Sequence, residues 1–561
     1  MEESQAMPRR MIGLSLIVFF MASHLCAMAR INLPSQDGLK FISIAQQFTH
    51  QPIWDVIRSA DQHPFYPASI ALIHGLVAPF GLDPHIAWRI AAQMVSVVAA
   101  LATLWPLYQI TCRLFRPFTG FLAVFLWLLL PLPMSLGHET LSDTTALFCM
   151  VWSLYFGLLV SESEKPKSGW LSACMAALCV AAGYWTRPET ILAAPAICMI
   201  WLMPSRESIR IRITKTVVFS SLVGLSILAY LGINGSVSDR FSAFMQPTVA
   251  KQYASSANSQ LPKGLPLVLR DPSLDFSPKD PSQEFAKKGL KAGLYNLVRQ
   301  WAESLGDALA VMTIWGIFRC RIHNQNARRL IAFEASLLML ALVWQASSRG
   351  YLSSRHVLGL SFFSVPFLAA AIRLYGLKIS AIFRVSSRGH QLCTRLAIAG
   401  LCLGGLWVQA KPIHASRQGH YKAGVWLNQN SKSDSAVFDT RGWASFQADL
   451  KRYDTYHISQ AISDRNTSYW VLESGELTSG SKRAATLAKI LDDGGELVAR
   501  FPKKQGHEDG GDVLVFSWKR PEWWDRISPA TIAEQTPKAK RDESVEQAKA
   551  EMPEITEIGR P

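Results

Sequence analysis

Runs of about 20 apolar residues recur along most of this chain, and no other feature limits its fold so strongly. At 1.5 Å of rise per residue, each run carries a helix across about 30 Å of hydrocarbon. About eleven are readable, near 11–30, 87–111, 119–136, 143–160, 170–185, 189–203, 216–234, 300–318, 330–346, 356–376 and 395–411. A lipid interior offers the backbone no water, so segments of this kind are expected to be helices. The expectation is a polytopic α-helical membrane protein.

With 49% hydrophobic and 18% charged residues over 561 positions, the chain is too apolar for a soluble protein of its size, yet too polar to be all membrane. The net charge of +15 is not gathered into one patch interleaved with aromatics, so no nucleic-acid partner is expected; the partner is the lipid bilayer. Threaded from a cytoplasmic N-terminus, the inner loops carry Arg9, Arg10, Arg113, Arg116, Arg206, Arg210, Arg212, Lys215, Arg319, Arg321, Arg328, Arg329, Arg373, Lys378, Arg384, Arg388 and Arg395. This parity follows the positive-inside rule. It puts Asp37, the His138–Asp143 turn, Arg187, the loop near 235–299, the Ser347–His356 turn and everything after 412 outside, as in a multi-pass protein of a bacterial inner membrane. Ala27-Met28-Ala29 also fits a small-residue cleavage site, so a cleaved signal peptide is an alternative for the first span that leaves Asp37 outside.

All nine cysteines fall in or beside apolar spans, which predicts disulfide-free outer segments and buried, inert thiols. After the last span, short β-rich runs at 435–438, 469–472, 496–499 and 512–516 alternate with helical stretches at 421–428 and 482–491. Residues 413–520 therefore read as a small extracytoplasmic α/β domain with a largely parallel sheet, after a transmembrane domain over 1–412. The tail, 521–561, is rich in Glu, Lys, Ala and Pro and reads as disordered.

Chemistry is concentrated in the expected outer turns. Asp37 emerges just past the first span, and His138, Glu139 and Asp143 crowd the turn between the third and fourth. Glu139 and Asp143 are four apart and would share a helix face if the fourth helix began early. Such carboxylates suit a base, a metal site or an acceptor pocket, whereas Ser142 or Asp143 could simply cap that helix. Arg187, Arg349 and Arg355 break the rule that outer turns are poor in arginine. A phosphate would account for them through paired, charge-assisted hydrogen bonds; pairing with Glu189 or snorkelling to the interface is the plainer alternative. No dense metal-ligand spacing appears and no cofactor is expected.

Asp37-Gly38, His63-Pro64-Phe65-Tyr66-Pro67, Ser142-Asp143-Thr144, Thr186-Arg187-Pro188-Glu189 and Ser354-Arg355-His356, in this order and on one side of the membrane, resemble the GT-C glycosyltransferases. The nearest branch is the protein O-mannosyltransferase and aminoarabinose transferase group, and the resemblance covers about residues 10–411. It implies transfer from a dolichyl- or polyprenyl-phosphate-sugar donor, with inversion, to an acceptor hydroxyl of a protein, lipid or polysaccharide. Asp37 would be the general base, Asp143 and Glu139 would position the acceptor or assist a metal, and Arg187 and Arg355, with Arg349 in reserve, would hold the donor phosphate. His63, Tyr66, His138 and His356 would line the pocket. The chain departs from the family where Gly38 replaces the second acid of an Asp-Glu pair, where Phe65 follows His63-Pro64, and where His356 stands in place of a Tyr. A transporter or flippase of lipid-linked sugars is a different class of reading, but the spans are nearly free of acids and show no inverted halves. A membrane-anchored sensor would explain the C-terminal region and not the many spans.

Overall fold

The computed structural model describes residues 3–163, 169–204, 207–234, 289–382, 400, 414–455, 457–478, 482–502 and 511–520. The described residues up to Ala415 pack as one unit and those from Ser416 as a second.

The described residues of the first unit form helices and the turns between them. Among the described residues five helices are long and apolar enough to cross a membrane, namely Pro84–Leu114, Asp143–Glu162, Ile209–Asn234, Gln325–Ser348 and Ser354–Gly376. A sixth span is counted if the bent pair Pro117–Leu129 and Pro131–Gly137 is taken as one. Shorter apolar helices cover Leu16–Arg30, Phe65–Phe80, Gly169–Tyr184 and Pro188–Leu202. The chain is thus a polytopic, largely α-helical membrane protein; the expected run 395–411 lies outside the described residues.

Two expected spans are broken, each for a local reason. The run 119–136 bends by 68° at Leu130, because Pro131 lacks an N–H and pushes the residue before it out of the helical region. The run 300–318 is split between Leu290–Leu305 and Asp307–Arg319 by Gly306, whose φ of 86° a side chain would resist. Among the described cysteines all are free, but only Cys149 is buried and Cys26 is exposed, which corrects the expectation of uniformly buried thiols. Glu334 is a second exception to the sequence reading. This carboxylate lies fully buried in the helix Gln325–Arg349, without a hydrogen-bond partner among the described residues.

The described residues of the second unit form a five-stranded sheet with helices. Its strands are β1 (Ala436–Asp439), β2 (Lys451–Tyr453), β3 (Thr467–Glu473), β4 (Gly495–Phe501) and β5 (Val513–Trp518), in the order β2-β1-β3-β5-β4. β1 runs parallel to β2 and β3, while β5 is antiparallel to both β3 and β4. The sheet is mixed, not largely parallel. Residues 502–512 are too few for the helical crossover that a parallel β4–β5 pair needs. Phe438, Trp470 and Trp518 stack across β1, β3 and β5, with ring centroids 4.2 and 4.7 Å apart, and form its core with Leu472 and Leu487.

Candidate active site

Hydrogen bonds sort the ends of the first unit's helices into two faces. Glu162, at the far end of the helix that Asp143 opens, accepts from Arg113 (2.9 Å) and from Asn324 (2.6 Å). The loops at 113, 162 and 324 therefore share one face. On the opposite face Ser35 meets Thr140, Arg355 meets Asp37 and Arg187 meets Asp143.

Ser35 caps the helix Gln36–His50 by accepting from the Gly38 N–H (2.9 Å), which fixes Asp37 in the first turn, where the helix dipole favours a carboxylate. The same residue ties that turn to the next loop. Its N–H donates to Thr140 Oγ1 (3.0 Å) and its hydroxyl to the Thr140 carbonyl (3.2 Å). Gly38 packs so closely that a Cβ there would lie 1.9 Å from Thr140 Oγ1. A side chain at position 38 is therefore excluded while Thr140 stays in place.

Arg355 sits on a 3₁₀ turn, Ser354–Val357, capped reciprocally by Ser353 and His356. The Ser353 N–H donates to His356 Nδ1 (3.1 Å), so a neutral His356 ring carries its proton on Nε2. Arg355 Nη1 donates to Asp37 Oδ2 (2.6 Å), and both side chains keep access to solvent, at 34% and 46% exposure.

Arg187 precedes the 3₁₀ turn Pro188–Leu192 and donates to both Asp143 and Glu189. Burial alone would lower its pKa, but the charges of Asp143 and Glu189 outweigh that, with Asp37 adding to them, and the net shift is upward. Arg187 is a fixed cation. Because Asp37 acts on Arg187 as well as on Arg355, the two ion pairs form one network, and the charges of Arg187, Asp143, Arg355 and Glu189 all reach His356.

Other expected members fall elsewhere. The helix begins at Asp143, so Glu139 lies outside it and the two carboxylates do not share a helix face; Ser142 holds the cap position without a side-chain bond. Glu139 pairs instead with His414, a residue no motif marks, whose φ of 52° is in the left-handed region. His138 packs on His24, ring centroids 5.5 Å apart. Burial lowers its pKa to about 4, against the pull of Glu139 and with the help of His414 and Arg30, so the ring is neutral. Tyr66 is fully buried and binds Ser96 Oγ (3.1 Å) and the Ala92 carbonyl (3.2 Å), while buried His63 stacks on Tyr230 with centroids 5.0 Å apart. Both join helices by packing. The side chain of Arg349 lies outside the described residues. Glu189, read from the sequence only as a partner for Arg187, is part of the network.

Residues 86–230 match the family model described as dolichyl-phosphate-mannose-protein mannosyltransferase. The fold resembles ArnT from Cupriavidus metallidurans in the apo state, with a TM-score of 0.55, 12% identity, and coverage of 90% of this chain and 98% of that one. The same enzyme bound to undecaprenyl phosphate gives 0.54, 12%, 89% and 97%. The archaeal oligosaccharyltransferase AglB from Archaeoglobus fulgidus, in complex with an inhibitory peptide and a dolichol-phosphate, gives 0.52, 14%, 91% and 74%. This chain shares their fold. No curated protein matches it in sequence. The polytopic helical architecture expected from the sequence is therefore one that these solved structures share.

Proposed function

We propose that this protein is an integral-membrane glycosyltransferase of the GT-C type that moves a sugar from a polyprenyl-phosphate donor to an acceptor hydroxyl. The single observation that carries the reading is the network on one face of the first unit, in which carboxylates Asp37 and Asp143 are each held by a guanidinium, Arg355 and Arg187. A carboxylate can take the proton of an attacking hydroxyl, and guanidinium groups can receive phosphate oxygens through paired hydrogen bonds.

In this mechanism Asp37 removes the acceptor proton as the oxygen attacks the anomeric carbon from the side opposite the phosphate, and inversion follows. The bond between that carbon and the phosphate oxygen breaks, its electron pair leaving with the lipid phosphate. Arg355 and Arg187 stabilise the departing charge. Asp143 and Glu189 hold Arg187 in place, and His356 Nε2–H is a further donor beside them. A donor phosphate that engages Arg355 competes with Asp37 for it, so arrival of the donor frees the base. The positive loops at the opposite face support an outward-facing site, with a bacterial inner membrane as the setting and the second unit outside. The acceptor hydroxyl belongs to a protein, a lipid or a polysaccharide.

The test is incubation of purified protein with radiolabelled polyprenyl-phosphate sugars and a membrane extract. Label moving from the donor lipid to a new product in wild type, and not with Asp37→Asn, is the expected result. Label that stays on the lipid with every sugar tried would overturn the reading.

A further inference from the structure

We infer that the face opposite the candidate active site carries a binding groove for one anionic phospholipid. The groove, of about 510 Å³, lies between the end of the helix Asp307–Arg319 and the start of Gln325–Arg349 and is lined by Ile317, Phe318, Arg321, His323, Gln325 and Arg328 among others.

Charge is the first support. Arg116 and Arg210 are exposed outside the groove lining, while three other cations on this face are engaged within the protein, Arg113 by Glu162, Lys215 by Glu207, and Arg212 by the carbonyls of Leu202 and Met203. By contrast Arg319, Arg321, Arg328 and Arg329 are all exposed, and none has a carboxylate partner among the described residues. Glu162, the acid tied to this loop through Asn324, is already bonded to Arg113. General attraction of inner loops to a membrane asks only for net charge; here two of these four guanidinium groups, Arg321 and Arg328, line a defined groove.

Apolar surface is the second support, and it selects a lipid over free phosphate. Val311, Ile314, Ile317 and Phe318 are exposed along the helix that leads to the groove, Phe318 at 80%. Their spacing of three, three and one puts them along one stripe. Inorganic phosphate has no use for that stripe, whereas an acyl chain lies along it while Arg321 and Arg328 hold the headgroup phosphate.

The experiment is native mass spectrometry of the full chain titrated with phosphatidylglycerol or phosphatidylcholine. Replacing two groove arginines, Arg321→Gln with Arg328→Gln, is expected to weaken phosphatidylglycerol retention about 30-fold, from about 1 kcal/mol per arginine. The pair Arg319→Gln with Arg329→Gln removes the same charge from the same segment outside the groove lining and is expected to change retention less than about threefold. All four are exposed, so the fold is expected to survive. Equal loss in both pairs means diffuse attraction and overturns the groove. No loss in either pair, or equal retention of phosphatidylcholine, overturns it too. Displacement of the lipid by inorganic phosphate at equal concentration overturns the lipid as occupant.

Discussion

Arg355 reaches back across 318 positions of the chain to donate to Asp37 at 2.6 Å. Without a ligand, the proposed base is therefore held by the cation proposed for the leaving phosphate. While that contact stands, the Asp37 oxygen it occupies is already engaged and is not open to an acceptor hydroxyl. Activity at this site then depends on the donor loosening the contact.

Asp37→Asn keeps the shape and removes the proton acceptor. Transfer is expected to fall by about 10²- to 10⁴-fold, with donor lipid binding retained or strengthened as Arg355 is released. Single-turnover transfer and lipid-phosphate binding, measured side by side, check this. Near-wild-type turnover would remove Asp37 from the mechanism.

Arg187→Lys and Arg355→Lys preserve charge while losing the planar fork. Both donor affinity and turnover are expected to drop, since contacts to the phosphate strengthen as it departs. An interfacial anchor would tolerate lysine, so unchanged lipid-phosphate binding in both variants counts against the phosphate site.

Arg187→Gln is expected to destabilise the protein as well, by about 3–5 kcal/mol, because it strands the buried Asp143 carboxylate. Adding Asp143→Asn should recover much of that loss of thermal stability without recovering transfer. A double variant no more stable than Arg187→Gln alone would show that the pair is not coupled.

Glu473 gives the second unit an acid-sensitive element. Burial raises its pKa, but bonds from His420 (3.0 Å) and Arg441 (3.0 Å) and the charge of Arg441 overcome this and hold it at about 2, below the ordinary 4.5. The stabilisation is therefore complete above pH 4.5 and is lost as pH falls towards 2, with a total of about 3 kcal/mol. Fluorescence of the stacked Trp470 and Trp518 in the full chain is expected to report unfolding on that acid limb, and Glu473→Gln should flatten it.

Sidedness is open to impermeant thiol labelling in a variant lacking the exposed Cys26. Cysteines at exposed Gln36 and Tyr351 are expected to react from outside the cell, and one at Arg328 is not. Asp143 is too buried to serve as a reporter. Labelling at Arg328 with protection at Tyr351 would invert the topology.

The long apolar helices were legible because length and apolarity alone decide whether a segment can cross lipid. Pro131 and Gly306 were visible too, but whether such residues kink a span or end it depends on the packing around them. Asp37, Arg187 and Arg355 stood out through their positions and residue types. Their pairing did not, since nothing local encodes a contact between residues 37 and 355. Glu139 with His414 was hidden for the same reason, and β2 because Lys451-Arg452-Tyr453 is too short and polar to signal a strand.

The close approach of Gly38 to Thr140 makes two distant positions into one inherited unit. A chain of this architecture can place a second acid after the first only if it also empties the space that the threonine fills, and emptying it removes the bonds that hold Ser35. Residues 38 and 140 should therefore change together among relatives, glycine with threonine and a larger residue with a smaller one. Introducing Gly38→Glu alone should displace the very carboxylate it was meant to accompany.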